Sequence, residues 1–127
     1  MDIDILGPFI EDKRKVYIQG PRRSGKTQFL LDYVELHADR QFIYCGLTRN
    51  MSQEFDTFDN VTSCFPAPIC RDRDITLILD EPYLHANDLS HVVSQDIRII
   101  AIGTYVPMVE NNNWPGFPLT DFHVITH

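Results

Sequence analysis

A short segment in the first quarter of the sequence has the residue types and spacing of a phosphate-binding loop. Residues 20–27 read Gly-Pro-Arg-Arg-Ser-Gly-Lys-Thr and satisfy the pattern G-x-x-x-x-G-K-[ST]. Glycine at Gly20 and Gly25 lets the backbone turn and aim successive N–H groups at an anion. The ammonium of Lys26 would neutralise the β- and γ-phosphates, and the hydroxyl of Thr27 would ligate Mg²⁺. The segment therefore predicts a nucleotide site.

We expect this site to combine the loop with the first turn of a following helix, because the positive end of that helix points at the same phosphates. A chance Gly-Pro turn between a strand and a helix is the alternative. The residues expected to contact the nucleotide are Gly20, Pro21, Arg22, Arg23, Ser24, Gly25, Lys26, Thr27 and Gln28.

Two adjacent acids, Asp80 and Glu81, form a second motif with the potential for chemistry. They follow the apolar run Ile-Thr-Leu-Ile-Leu at residues 75–79. Enzymes with a phosphate-binding loop use such a strand end to complete the site, so Asp80 would hold Mg²⁺ and Glu81 would polarise an attacking water. The pair lies about 50 residues after the loop, which makes the combination more specific than either motif alone. The alternative is that both acids only cap the next helix.

The sequence around these motifs predicts the elements that must position them. Residues 15–19 are typical of a strand, and apolar side chains at helical spacing predict a helix from about Gly25 to His37. Alternating strands and helices indicate an α/β fold with a three-layer, doubly wound, mainly parallel five-stranded sheet. The other predicted strands span residues 41–46, 75–81, 97–104 and 121–126, with a short helix that includes Leu89, Val92 and Val93.

Three segments give weaker signals. Residues 5–10 are apolar and would pack on the sheet edge as an N-terminal arm. A capping-box pattern at Asn50 and Gln53, followed by spaced aromatic residues, predicts a second short helix. Residues 61–65 would form an extra strand, but prolines follow directly and leave the assignment of residues 60–74 open.

Two features near the carboxyl end are compatible with either a functional or a purely structural role. Thr104 ends an apolar run, where its hydroxyl would contact the γ-phosphate or the attacking water, or would have no ligand. Residues 105–118 form a long connection, and such loops are usually functional or mobile. Within it, Trp114 would stack on a base, anchor a partner, or fold back over the sheet edge.

Composition limits the classes of protein that fit. A length of 127 residues predicts one minimal domain over residues 1–127. The 11 Lys and Arg against 18 Asp and Glu give a net charge of -7, which disfavours non-specific binding to nucleic acid or anionic membranes. The 3 cysteines lack metal or disulfide spacing. Without a signal peptide or a long apolar run, the chain is predicted to be cytoplasmic and without a membrane partner.

The order of the motifs resembles that of P-loop NTPases with an additional catalytic glutamate. That resemblance implies that the strand ending in Thr104 lies between the other two motif strands, beside Lys26 and Glu81. Within this group, four segments resemble the ATPase lobe of viral DNA-packaging terminase large subunits. They are Arg-Arg-Ser-Gly-Lys-Thr at 22–27, Gly-Leu-Thr-Arg-Asn at 46–50, Asp-Glu-Pro at 80–82 and Gly-Thr-Tyr-Val-Pro at 103–107.

The terminase resemblance implies a motor-type ATPase in which Arg22 or Arg23 stabilises charge on the transferring phosphoryl group. It also implies a viral protein, whose cytoplasmic location would be the host cytoplasm. The nuclease lobe, the C-terminal lid and a strong positive face of those proteins have no counterpart in this sequence. A free-standing motor subunit, a remnant, and an ATPase that takes its track-binding parts from another chain therefore all remain open.

The sequence as a whole predicts a Mg²⁺-dependent enzyme that binds and hydrolyses ATP, since no guanine-reading Asn-Lys-x-Asp motif occurs. We expect it to act as a homo-oligomer or with a partner protein, and to reach nucleic acid through that partner or the loop around Trp114. The predicted catalytic residues are Glu81, Lys26, Thr104, Arg22 and Arg23, and the predicted metal ligands are Thr27 and Asp80.

Two alternatives stay beside this hypothesis. Residues 20–27 and 79–81 also resemble thymidine kinase, in which case Glu81 would accept a proton from a sugar hydroxyl, although the cysteine pairs of that family are missing. The other alternative is a nucleotide-dependent binding or assembly module with little turnover.

Overall fold

Alternating helices and strands build a sheet whose strands all run in the same direction. The computed structural model describes residues 3–21, 25–46, 53–64, 72, 74–82, 89–104 and 121–126. Its elements in chain order are α1 (Ile3–Asp12), β1 (Lys15–Gly20), α2 (Lys26–Leu36), β2 (Gln41–Cys45), β3 (Val61–Ser63), β4 (Ile75–Asp80), α3 (Ser90–Val93), β5 (Arg98–Thr104) and β6 (His123–Thr126).

The sheet has the order β3-β2-β4-β5-β1-β6, and every neighbouring pair is parallel. This confirms the predicted α/β fold with a mainly parallel sheet. Over the described residues the sheet has 6 strands, one more than predicted, because the short β3 adds at one edge. Strand β5 lies between β1 and β4, as the resemblance to P-loop NTPases implied. The carboxyl ends of the three strands that carry the motifs, β1, β5 and β4, therefore lie side by side; we call this end of the sheet its carboxyl edge.

The central strands are apolar on both faces because helices cover both sides of the sheet. On one face, α1 and α2 pack on residues such as Ile18, Ile78 and Ile100. On the other face, α3 packs on Leu77 and Ile99. The near-continuous apolar runs of β4 and β5 follow from this two-sided burial. No helix in the described ranges has the length and apolarity that crossing a membrane requires.

Residues 5–10 lie in α1, a helix that the sequence did not predict, and Phe9 of this helix contacts His123 of the edge strand β6 with ring centroids 6.4 Å apart. Gly7 and Pro8 are poor helix formers, and they hide the helical signal in the sequence. Tertiary packing outweighs this preference, since Ile10 is fully buried and α1 packs against α2.

The helix predicted from Asn50 is wrong for the part that the structure describes. Residues 53–57 form turns, with hydrogen bonds from Asp56 N to Gln53 O and from Phe58 N to Phe55 O. In this segment Phe55 has a fully buried ring. The turns before β3 therefore bury its apolar side chain without a helix.

Candidate functional site

The phosphate-binding loop joins the end of β1 to the start of α2. Gly25 is the residue before the first helical position and has φ 90° and ψ 13°. This left-handed conformation penalises any residue with a Cβ atom, which explains the need for glycine there. Arg22, Arg23 and Ser24 lie outside the described residues. Gly25 therefore has the backbone geometry that the motif requires. Gly20 ends strand β1 without a positive φ, so the expectation that both glycines turn the chain holds for Gly25 and is wrong for Gly20.

The side chain of Lys26 is held at the mouth of this loop. It is only 8% exposed. Its Nζ donates hydrogen bonds to the carbonyl oxygens of Gly20 (2.7 Å) and Pro21 (2.9 Å). Burial lowers the pKa of Lys26, while the negative charges of Glu81 and Asp80 oppose that shift. Lysine and both acids therefore lie within electrostatic reach of one another.

The first turn of α2 carries the other two predicted nucleotide contacts. Thr27 and Gln28 are exposed, so both are accessible from solvent. The amide of Gln28 donates to Asp32 Oδ1 at 3.0 Å, which directs this side chain along the helix. The hydroxyl of Thr27 lies one residue after Lys26, at the positive end of α2.

Asp80 is the last residue of β4 and is 9% exposed. The hydroxyl of Tyr44, on the neighbouring strand β2, donates a hydrogen bond to Asp80 Oδ2. Burial raises the pKa of Tyr44 far above its ordinary value, and the charge of Asp80 raises it further. Tyr44 is therefore a neutral donor to a buried carboxylate. Sequence reasoning missed this residue.

Glu81 leaves the strand in an unusual backbone conformation. Among the described non-glycine residues it is the one with positive φ, at 51°. Its N–H donates to the carbonyl of Ile102 at 2.8 Å. Its carboxylate accepts bonds from the Thr104 N–H (3.1 Å to each oxygen) and the Thr104 hydroxyl (2.7 Å to Oε1). The left-handed backbone thus directs the carboxylate to the end of β5.

Comparison with known families is consistent with this geometry. A sequence-family model described as "AAA domain" matches residues 12–103, which is most of the chain. The chain belongs to the AAA domain family. AAA domains are ATPase domains of the P-loop NTPase type that generally use ATP with Mg²⁺ and often form oligomers. No curated protein matches the chain.

In this AAA domain, the sheet brings together residues that are distant in sequence. Gly20 is the register partner of Thr104, and Asp80 is the register partner of Ile102. The predicted residues Gly20, Lys26, Asp80, Glu81 and Thr104 therefore share the carboxyl edge of three adjacent strands. Their catalytic and binding roles stay predictions. Trp114 and the rest of residues 105–120 lie outside the described residues.

The donor set of this AAA domain fits Mg²⁺. Thr27 offers an accessible hydroxyl and Asp80 a carboxylate, and both are the hard oxygen ligands that Mg²⁺ prefers. The described residues contain no group of three or more His, Cys, Asp or Glu that could hold a metal by themselves. Mg²⁺ is usually held by one or two protein oxygens together with substrate phosphates, so a sparse set is what such a site needs.

Proposed function

We propose that this AAA domain binds ATP at the carboxyl edge of β1, β5 and β4 and hydrolyses it with Mg²⁺. The observation that carries the proposal is the convergence of Lys26, Asp80 and Glu81. These residues come from a helix start and a distant strand end, yet the strand register places them at the same ends of β1, β5 and β4, where both acids favour the charged form of Lys26. Binding of a triphosphate with its metal requires a cation for the phosphates, acids near the metal and the water, and a loop with a glycine turn. Lys26, the two acids and Gly25 provide these groups.

Each residue has a role in this proposal. Lys26 neutralises phosphate charge, and the N–H groups at the start of α2 bind phosphate oxygens. Thr27 and Asp80 would hold Mg²⁺, which would supply positive charge to stabilise the phosphates. Glu81 orients the attacking water and accepts its proton, and Thr104 holds the Glu81 carboxylate at the strand end. Arg22 or Arg23 would stabilise charge on the transferring phosphoryl group.

We further propose that the domain works as a motor-type subunit of viral origin, as the four terminase-like segments suggest. In that setting it acts in the host cytoplasm as a homo-oligomer or with a partner protein. Nucleic acid would be contacted by that partner or by the loop around Trp114, because the net charge of -7 gives the domain little electrostatic attraction for DNA.

A second candidate function is an assembly module with little turnover. It is favoured by the contacts of Glu81, whose carboxylate accepts three hydrogen bonds from Thr104 in this structure. A carboxylate held in this way must exchange some of these bonds before it acts on water. In that case ATP would drive oligomerisation, and hydrolysis would wait for a neighbouring subunit.

The deciding experiment measures nucleotide binding and phosphate release with purified protein. Lys26→Ala should weaken ATP binding by about 10–100-fold, because a charge-assisted contact to phosphate is lost. Lys13→Ala, at the opposite edge of the sheet, is the matched control and should bind normally. Equal ATP affinity in the Lys26 variant would refute the proposal. Phosphorylation of a nucleoside panel without phosphate release would indicate the kinase, and binding with oligomerisation but no release would favour the assembly module.

A further inference from the structure

Tyr44 belongs to neither of the two nucleotide motifs, yet it touches one of their residues. It lies in β2, and its side chain is fully buried. Its hydroxyl donates to Oδ2 of Asp80. A buried hydroxyl needs a partner, and here that partner is a predicted metal ligand.

The sheet register explains how Tyr44 reaches Asp80. Strands β2 and β4 are neighbours, and Tyr44 is the register partner of Ile78. Asp80 lies two residues further along β4, so its side chain points to the same face as Ile78 and Tyr44. Packing fixes the ring, because Tyr44 stacks on Phe55 with a centroid distance of 4.4 Å and an angle of 21° between planes. The hydroxyl position is therefore set by rigid neighbours.

A neutral donor has a particular effect on a carboxylate. It restricts rotation about the last bond of the aspartate side chain, because one oxygen is tied to a fixed point. Unlike an arginine or a lysine, it leaves the negative charge of the carboxylate in place. Asp80 can then present a charged oxygen in a defined direction toward Lys26 and the loop. Outer partners of this kind typically change metal affinity by about 10–100-fold.

We propose that Tyr44 is a positioning residue that orients Asp80 for Mg²⁺–nucleotide binding. This inference rests on the proposed function of the site and adds a residue from a third strand to it. Tyr44 contacts neither substrate nor metal in this proposal and acts through Asp80 alone. Phe55 supports it by holding the ring in place.

The test is a Mg²⁺ titration of ADP binding in the full chain, followed by calorimetry or a fluorescent ADP analogue. Tyr44→Phe should raise the Mg²⁺ concentration for half-maximal binding by about tenfold. Binding of ADP in EDTA should stay the same, because the loop and Lys26 are untouched. Tyr33→Phe is the matched control: Tyr33 of α2 is equally buried in the same core cluster, but its hydroxyl donates to Glu11 at 2.6 Å. That variant should keep the wild-type Mg²⁺ midpoint.

A wild-type Mg²⁺ midpoint in the Tyr44 variant would overturn the inference, and so would an equal rise in the Tyr33 variant, since that would indicate general destabilisation. If Tyr44→Phe does not fold, Phe55→Leu keeps the hydroxyl but loosens the ring and should raise the midpoint by a smaller factor. An unchanged midpoint there would also count against the proposal. Failure of wild type to bind ADP at any Mg²⁺ concentration is a different result, which refutes the proposed function itself.

Discussion

Two buried tyrosines of the same core cluster, Tyr33 of α2 and Tyr44 of β2, each donate to a carboxylate, but the two carboxylates have different surroundings. Tyr33 donates to Glu11, which also accepts two hydrogen bonds from Arg40 at 2.7 and 2.8 Å. Tyr44 donates to Asp80 at the opposite edge of the sheet. The Glu11 cluster ties the end of α1 to α2 and to the start of β5, where Arg98 lies 3.8 Å from the carboxylate. One carboxylate is neutralised by arginines, and the other is held by a neutral phenol.

The difference separates a charge that serves the fold from a charge that serves a ligand. Hydrogen bonding from Arg40 lowers the pKa of Glu11 from its ordinary 4.5 to about 2. Its negative charge is largely compensated inside the cluster. At Asp80 the phenol fixes the direction of the carboxylate and adds no positive charge, so the negative charge of Asp80 acts on Lys26 and on a bound cation. We infer that the Glu11 edge stabilises the domain and that the Asp80 edge carries the chemistry.

The largest expected effect is on ATP turnover, from a substitution at the carboxyl edge that holds Asp80 and Glu81. Glu81→Gln should lower ATP turnover by about 100-fold or more, because an amide cannot accept the proton of the attacking water. ATP binding should persist, since Lys26 and the loop are unchanged. Phosphate release and equilibrium binding measure the two separately. Turnover at the wild-type rate would remove Glu81 from the mechanism.

A substitution in the Glu11 cluster should instead change stability and leave nucleotide binding unchanged. Glu11→Gln should lower the free energy of unfolding by about 1–3 kcal/mol, because Arg40 loses its charged partner while remaining partly buried. ATP affinity should not change. Urea unfolding measures the first quantity and calorimetric titration the second. If this variant bound ATP poorly but unfolded like wild type, the comparison between the two edges would be wrong.

The pH dependence of stability should carry the signature of Glu11. Its pKa is lower in the folded state than in the unfolded state, so its contribution is fully present above about pH 4.5 and is lost as the pH falls toward 2. We expect about 1–2 kcal/mol of stability to disappear over this range, since the partial exposure of the pair screens it. Unfolding curves between pH 5 and pH 2 should show a smaller loss for Glu11→Gln than for wild type.

The smallest expected effect concerns the contact between β5 and Glu81. Thr104→Val should lower turnover by about tenfold, because the hydroxyl that holds the Glu81 carboxylate at 2.7 Å is lost while the backbone N–H remains. ATP affinity should stay close to wild type. A rise in turnover would instead mean that Thr104 restrains Glu81, as the assembly module requires.

Local signals in the sequence predicted the parts of the site that are contiguous in the chain. The phosphate-binding loop between a strand and a helix is one such signal, and the apolar run before Asp80 is another. Each depends on residue types within a few positions, so no knowledge of the fold is needed. The position of Thr104 beside Glu81 required the strand order, which came from the resemblance and not from the residues.

Tertiary contacts determine the three features that the sequence did not predict correctly. Helix α1 forms despite Gly7 and Pro8 because Ile10 is buried against its neighbours. Residues 53–57 form turns because burial of Phe55 does not need a helix. Tyr44 stands in an apolar run like any core tyrosine. Its link to Asp80 depends on β2 lying beside β4 in a register that no pattern within β2 indicates.

The left-handed backbone at Glu81 has an evolutionary consequence. A residue with a Cβ atom at φ 51° is less favourable than glycine by roughly 1–2 kcal/mol. On backbone conformation alone, glycine would therefore be favoured at this position, whereas the hydrogen bonds from Thr104 favour the carboxylate. If Glu81 has the proposed catalytic role, a lineage that lost nucleotide hydrolysis would be free to exchange this residue for glycine. The residue type at this position in related sequences should then follow whether they still hydrolyse nucleotide.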